Sequence, residues 1–552
     1  MASIVFWILF WLLCAVLFIS TLIRQHDKDK RRLEKIRQSF GVRDTEPADS
    51  AVFDEPMLIT QYFRKKRPAD QYIDDITAHD LGLRDIYSRI DRCMTSAGEA
   101  CLCVLLRLLP FDPDVSNQRY DRISSYINDK DKAADHAYIL AGYGKHHDID
   151  EFGLITALSH AGCRNVITDL SMIFLITAGI IISLFYPAAG ITITVVALIV
   201  SVITYFSGKR VMDANLKGLA MCLKLIDCAR RLDKSGCEGF ERYRDLYPLL
   251  RARWLIPYKE STSSSPLDIL YDYIRMIIHT DLIAYSLKIE KISALSDRIA
   301  DLYADVGMTD CCISIASYII ARDHCRALFT GDTVLSARGM YHPLVENAVC
   351  NDIDAKRGVL ITGSNASGKS TFLKAVGVNE IFAACFGFAF AKEFVSANFS
   401  VYTSMALTDD LLARESYYTA EARSIKRICD AAGKGKCLCI IDEILKGTNT
   451  TERIAASTQV LKYLCSLNIL CFAATHDREL TLLLKDDMDQ YHFTEEIRDD
   501  TVTFPFVIQK GVADKTNAIT ILSMLGFDKG IVSSAESLAD TYRKTGKWEI
   551  RG

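Results

Sequence analysis

The stretch Gly363-Ser364-Asn365-Ala366-Ser367-Gly368-Lys369-Ser370-Thr371 leaves a chain few choices of local fold. It fits G-x-x-x-x-G-K-[ST], a loop that follows a buried strand and opens a helix. Both flanks comply. Gly358 to Thr362 is a short apolar run, and Thr371 to Ile381 places Phe372, Leu373, Val376 and Ile381 at helical spacing. Glycines let successive backbone N–H groups close round phosphate oxygens, and a helix N-terminus favours negative charge. Lys369 is placed to reach β- and γ-phosphates, and the Ser370 hydroxyl to ligate Mg²⁺. The stretch reads as a site for ATP or GTP.

Such a loop needs acid on a neighbouring strand. Cys437 to Ile441 is apolar and ends in Asp442 and Glu443. Asp442 is placed to hold Mg²⁺ beside Ser370, and Glu443 to polarise the attacking water. A third apolar run, Ile469 to Ala474, ends in Thr475-His476-Asp477. His476 could then contact the γ-phosphate or the water.

At 552 residues the chain should hold several domains. Net charge is −4 and the pI about 6.3, so no global basic field points to nucleic acid. Mean hydropathy is +0.12, high for a soluble protein. The eighteen cysteines show no paired C-x-x-C spacing for zinc, and free thiols in a reducing compartment are expected.

Ala2 to Ile23 carries no charge and is long enough to cross the roughly 30 Å hydrocarbon layer as a helix. The dense basic flank from Arg24 to Arg37 places the N-terminus outside and the remainder in the cytoplasm. A second apolar feature spans Ser171 to Ser207: Ile173 to Tyr186, a turn at Pro187-Ala188-Ala189-Gly190, then Ile191 to Phe206. Arg164 before it, and Lys209 and Arg210 after it, put both ends in the cytoplasm. Three spans in a multi-pass cell-membrane protein are expected. So few spans offer little polar pore lining, which argues against transport.

The remainder before residue 327 reads as helical. Asp80 to Leu109 is expected to break at Gly98 and stop at Pro110, and Ile289 to Val306 gives a near-heptad stripe typical of one long helix. From Val334 short apolar runs alternate with amphipathic helices, the mark of an α/β sheet domain.

Gly363 to Thr371, Asp442 to Thr450 and Ala474-Thr475-His476 closely resemble the ATPase domain of MutS-family proteins. Tyr341-His342-Pro343, Asn351-Asp352, Ser416 to Glu421, Lys510 to Lys515 and Gly526-Phe527-Asp528 follow in the family's order, so the resemblance covers Val334 to about Tyr542. Weaker similarity to the family's helical core runs from Asp80 to Arg119. The resemblance implies a composite site in a homodimer, Ser416 of one subunit meeting the γ-phosphate bound by the other. It also implies Mg²⁺-dependent ATP hydrolysis, with Gly363 to Thr371 binding nucleotide, Ser370 and Asp442 holding Mg²⁺, and Lys369, Glu443 and His476 catalytic.

Departures are equally informative. No counterpart of the mismatch-reading domain is found, since membrane and linker segments occupy that end. The apolar hairpin stands where the family inserts its DNA clamp. Glu452-Arg453 replaces the usual Asp-Gly.

The expected architecture is a P-loop α/β domain (327–504) behind an all-α lever region, with three transmembrane helices. Segment 1–23 is the anchor, 24–60 a basic linker, 61–169 and 208–326 the levers, 170–207 the hairpin, and 505–552 a helix-turn-helix-like dimerisation segment. The expected function is a membrane-anchored, dimeric ATPase whose levers carry head closure into the bilayer. Alternatives are a tethered, DNA-binding repair ATPase and a low-turnover nucleotide-sensing scaffold that recruits a membrane protein.

Overall fold

The computed structural model describes residues 27–42, 56–256, 266–405, 417–498, 501–512 and 526–545, save 148, 163–164 and 365–366, with isolated positions elsewhere. The first expected span, Ala2 to Ile23, lies outside the described residues.

The first region is helical: α1 (27–39), α2 (Met57–Lys66), α3 (Asp75–Asp80), α4 (Leu83–Ile90), α5 (Ser96–Leu105), α6 (Pro113–Asn128), α7 (Lys130–Tyr143) and α8 (Glu151–Ala157). A small antiparallel pair, β1 (Gln71–Tyr72) with β2 (Leu108–Leu109), ties its start to its middle. Short polar residues fix the helix starts. The side chains of Asp74, Thr95, Asp112, Asp129 and Asp150 each accept a first-turn backbone N–H.

Gly98 does not break a helix as expected. It lies inside α5, and the break falls at residues 91–95. There the buried Asp310 carboxylate accepts from the Met94 N–H (2.9 Å), the Thr95 N–H (2.8 Å) and the Thr95 hydroxyl (2.6 Å). The tertiary acceptor supplies hydrogen bonds that a continuous helix would otherwise provide.

Next come α9 (Val166–Phe185), α10 (Pro187–Lys234), α11 (Pro266–Ile278), α12 (Thr280–Ala294) and α13 (Ser296–Ile319). The turn expected over Pro187 to Gly190 is confined to Tyr186, at φ −132° and ψ 80°. Pro187 opens α10 instead, where its missing N–H costs nothing. At 48 residues, α10 extends about 72 Å, so one arm of the hairpin and the helix below it are a single rod. The long helix expected over Ile289 to Val306 is two helices, parted at Leu295 (φ −108°).

Among the described residues, α9 and α10 are long and apolar enough to cross a membrane. Only 11% and 22% of their apolar windows are buried within the molecule, unlike the core helix of a soluble protein. Phe174, Ile181, Leu184, Phe185, Val196, Ile199 and Ile203 are exposed. The hairpin base holds a buried polar knot. His279 Nδ1 is 2.8 Å from Asp169 Oδ1, Ser201 Oγ is 3.0 Å from His279 Nε2, and the Tyr205 hydroxyl donates to Asp281 (3.0 Å).

The C-terminal region contains β3 (Cys325–Arg326), β4 (Leu328–Phe329), β5 (Leu335–Met340), β6 (Asn351–Ala355), β7 (Gly358–Thr362), α14 (Lys369–Phe386), β8 (Phe388–Ala389), β9 (Glu393–Ser396) and β10 (Ser400–Ser404). After these come α15 (Tyr417–Ala432), β11 (Cys437–Asp442), α16 (Thr450–Cys465), β12 (Leu470–Ala474), α17 (Arg478–Leu483), β13 (Met488–Phe493), β14 (Glu496–Arg498), β15 (Thr501–Thr503), β16 (Ile508–Lys510) and α18 (Lys529–Thr545). The main sheet has the order β10-β11-β12-β7-β13-β16, parallel except for β16. Its central strands are apolar throughout because helices cover both faces.

Helix α14 is buried along nearly its whole length. One side meets the sheet and the other meets α6, where Arg119 donates to the Cys385 carbonyl (2.6 Å) and Ser116 to that of Ala384. The helical and α/β regions therefore share one continuous core.

Candidate functional site

Strand register brings the sequence-predicted residues together. Asp442 pairs with Ala474, and Ala474 with Ile361, so β11, β12 and β7 end at one level of the sheet. Ligands of open α/β sheets bind outside those carboxyl ends.

The loop after β7 turns through Gly363 (φ 146°) and Gly368 (φ 102°), then enters α14 at Lys369. Gly368 is required twice: by its left-handed backbone, and because a Cβ there would come within 3.0 Å of the Phe506 ring. Ser367 donates to the Ser364 carbonyl (2.7 Å), closing the loop. Lys369 is 3% exposed and donates to the carbonyls of Gly363 (2.9 Å) and Ser364 (2.7 Å). Burial pushes its amine down to about 8, against a smaller opposing pull from Asp442. Thr371 follows on α14. Asn365, Ala366 and Ser416 lie outside the described residues.

Ser370 donates to Asp442 Oδ2 at 2.5 Å, while Asp442 Oδ1 is buried without a protein partner. A hydroxyl and a carboxylate with one uncommitted oxygen are hard ligands suited to Mg²⁺. No group of three or more His, Cys, Asp or Glu that could hold a metal exists among the described residues.

Glu443 follows at φ 59° and Leu445 at 58°, left-handed conformations that cost energy in residues other than glycine. The bend turns the Glu443 carboxylate off the strand, where its Oε1 lies 2.9 Å from His476 Nε2. Burial, then the charges of Lys369 and Lys446, lower the His476 pKa, and the Lys369 amine lies 3.4 Å from the same Nε2. Lys369, Ser370, Asp442, Glu443 and His476 thus form one cluster.

Several neighbours were not assigned roles from sequence. Lys446 forms an ion pair with Glu443. Glu421, early on α15, accepts from the backbone N–H groups of Lys446 (3.1 Å) and Gly447 (3.4 Å), bracing the turn that carries Lys446. Arg453 makes a two-point pair with Asp477 (2.7 and 3.0 Å), anchoring the start of α16 to the turn that bears His476.

Beside Gly368 lies a cavity of about 300 Å³ lined by Tyr341, His342, Val349, Phe372, Phe493 and Phe506, among others. The Asn351 side chain donates to the Phe506 carbonyl (3.0 Å) and accepts from the Ile508 N–H (2.8 Å), holding that wall in place. Burial pushes His342 down to about 4, and its Nδ1 accepts from the Leu344 N–H (3.3 Å). Its Nε2–H therefore remains an uncommitted donor.

The family described as MutS domain V matches residues 359–543. The DNA mismatch repair protein MutS of Natronomonas pharaonis is 27% identical over 260 residues, 45% of this chain and 30% of that protein. MutS of Thermotoga maritima is 27% identical over 261 residues (46% and 33%), and that of Bacillus velezensis 28% over 271 (47% and 31%). The C-terminal part of the chain, from residue 359, is thus similar to MutS domain V. The matches span about a third of the length of these relatives. Within the matched region the Arg453 departure has a structural use, since its guanidinium ties two site-bearing turns together.

Proposed function

We propose that this chain is a membrane-anchored MutS-type ATPase that binds and hydrolyses ATP with Mg²⁺. The observation that carries the reading is the convergence of Lys369, Ser370, Asp442, Glu443 and His476 at the ends of three adjacent strands. Lys369 and the loop amides hold the phosphates, and the cavity beside Gly368 accommodates the base. Mg²⁺, held by Ser370 and Asp442, supplies neutralisation of phosphate charge when bound. Glu443 takes a proton from the attacking water, while His476 orients that carboxylate. The Lys446 amine occupies the Glu443 carboxylate, so Lys446 must move aside for catalysis. Ser416 of a second copy completes the site, which makes turnover slow and dependent on pairing.

The exposed apolar arms support membrane insertion through α9 and α10, with the site on the cytoplasmic side. The continuity of α10 and the clamping of α14 by α6 supply a stiff route from the phosphate loop to the hairpin. ATPase assays on the detergent-solubilised full chain test the reading. Glu443→Gln should lower kcat by about 10²–10⁴-fold while ATP still binds; unchanged turnover overturns it.

The printed names of the relatives favour a second reading, a tethered ATPase acting on DNA. Duplex or mismatched DNA should then stimulate hydrolysis with a steep salt dependence.

A further inference from the structure

A second cavity, of about 820 Å³, lies at the other end of β11. One wall is the end of α2 with the segment leading into β1, and the facing wall is the α15–β11 turn. Ser400 and Cys437, at the starts of β10 and β11, form its floor, and Tyr72, Tyr402 and Phe111 also line it. Its lining includes Arg64, Lys65, Arg67, Lys434 and Lys436 against the single carboxylate of Asp70. That concentration of positive charge stands out in a chain of net charge −4.

The Lys436 amine donates to the Gly331 carbonyl, whereas the other cations are not taken up by close protein acceptors. Among the described residues, the side chains of Lys65 and Lys434 form no ion pair or hydrogen bond, and both are exposed. Arg64 lies over the Tyr72 ring at 5.0 Å, facing no carboxylate. Arg67 is 3.8 Å from Asp70 Oδ2, too far for a hydrogen bond, and that buried oxygen has no partner. The facing turn reads Gly433-Lys434-Gly435-Lys436. Its Gly435 and Lys436 amides fall outside the ladders of α15 and β11, and successive amides of a turn are a common anion-binding element. Phe111 is 52% exposed at the rim, a ring face open to stacking.

We propose that this cleft binds a small phosphorylated ligand of the nucleoside-polyphosphate class, separate from the phosphate-loop site. The phosphates lie against Lys65, Arg67, Lys434 and the turn amides, and the base lies on Phe111. Such a ligand bridges the helical region and the sheet edge. Gln71 already joins these across the same cleft, donating to the Val401 carbonyl (3.0 Å) and accepting from its N–H (2.9 Å). It also sits on the strand that ends in Asp442, so its occupancy can be felt at the other site.

The test is calorimetric titration of the full-length Lys369→Ala protein, in which the phosphate-loop site is crippled, with pyrophosphate and with ADP. Saturable binding is expected for both. Adding Lys65→Glu and Lys434→Glu should weaken each by about tenfold or more, because charge-assisted contacts are lost. These two side chains are exposed and unpartnered, so their replacement leaves the fold intact. Phe111→Ala should weaken ADP but not pyrophosphate. Absence of binding in the Lys369→Ala protein, or binding indifferent to the two lysines, overturns the site. ADP binding no tighter than pyrophosphate overturns the assignment of the base to Phe111.

Discussion

Lys369 gives the site its pH signature. Burial holds the amine down to about 8, whereas a nearby triphosphate favours its charged form. Binding ATP above pH 8 therefore takes up a proton, and affinity should fall as pH rises from about 8 to 10. Titration calorimetry in buffers of different ionisation enthalpy reads that uptake directly. A proton count of zero at pH 9 would contradict it. At this scale the loop, Asp442, Glu443 and His476 were legible because each sits in a local pattern of strand end and turn. The roles of Glu421, Lys446 and Asn351 were not, although the stretches that hold them were singled out, since those roles arise through contacts. Glu421 braces a turn 25 positions away, and Asn351 holds a wall 155 positions away. No periodicity marks such pairs.

The crossing of α5 and α13 shows what element-scale packing demands. A Cβ on Gly307 would lie 2.4 Å from the Ala97 carbonyl oxygen and 2.5 Å from Cys101 Sγ. Gly307→Ala should destabilise the protein by about 1–3 kcal/mol, because two helix backbones must part. Gly331, with nothing within 4 Å, serves as the control. Thermal or denaturant unfolding in detergent should separate the two variants, and equal stabilities would contradict the packing argument. The same crossing explains two sequence misreadings. Gly98 looked like a breaker but belongs to α5, while the apolar stripe from Ile289 ran past the break at Leu295. Apolar spacing records which faces are buried; it does not record where the backbone changes direction.

For the whole molecule, the sequence made both ends of the path legible: a nucleotide-type loop and long charge-free runs. The middle was hidden. That α14 lies clamped between the sheet and α6, and that α10 runs unbroken from the hairpin to Lys234, are facts of long-range assembly. The membrane reading yields its own prediction. A chain lacking residues 1–23 should still sediment with membranes through α9 and α10. Adding Ile181→Asp and Ile199→Asp should release it, since each Asp at a helix centre costs about 2.5–3.5 kcal/mol to insert. Membrane flotation reads the outcome, and a deletion variant found free of membranes before those changes would refute insertion of the hairpin.

The central claim is that ATP in this site pairs two copies of the chain. Light scattering of the detergent-solubilised Glu443→Gln protein, with the detergent contribution subtracted, tests it most directly. The account predicts that saturating Mg²⁺ and ATP double the protein mass, and that Lys369→Ala abolishes the doubling. A protein mass that does not change while nucleotide is demonstrably bound would contradict it.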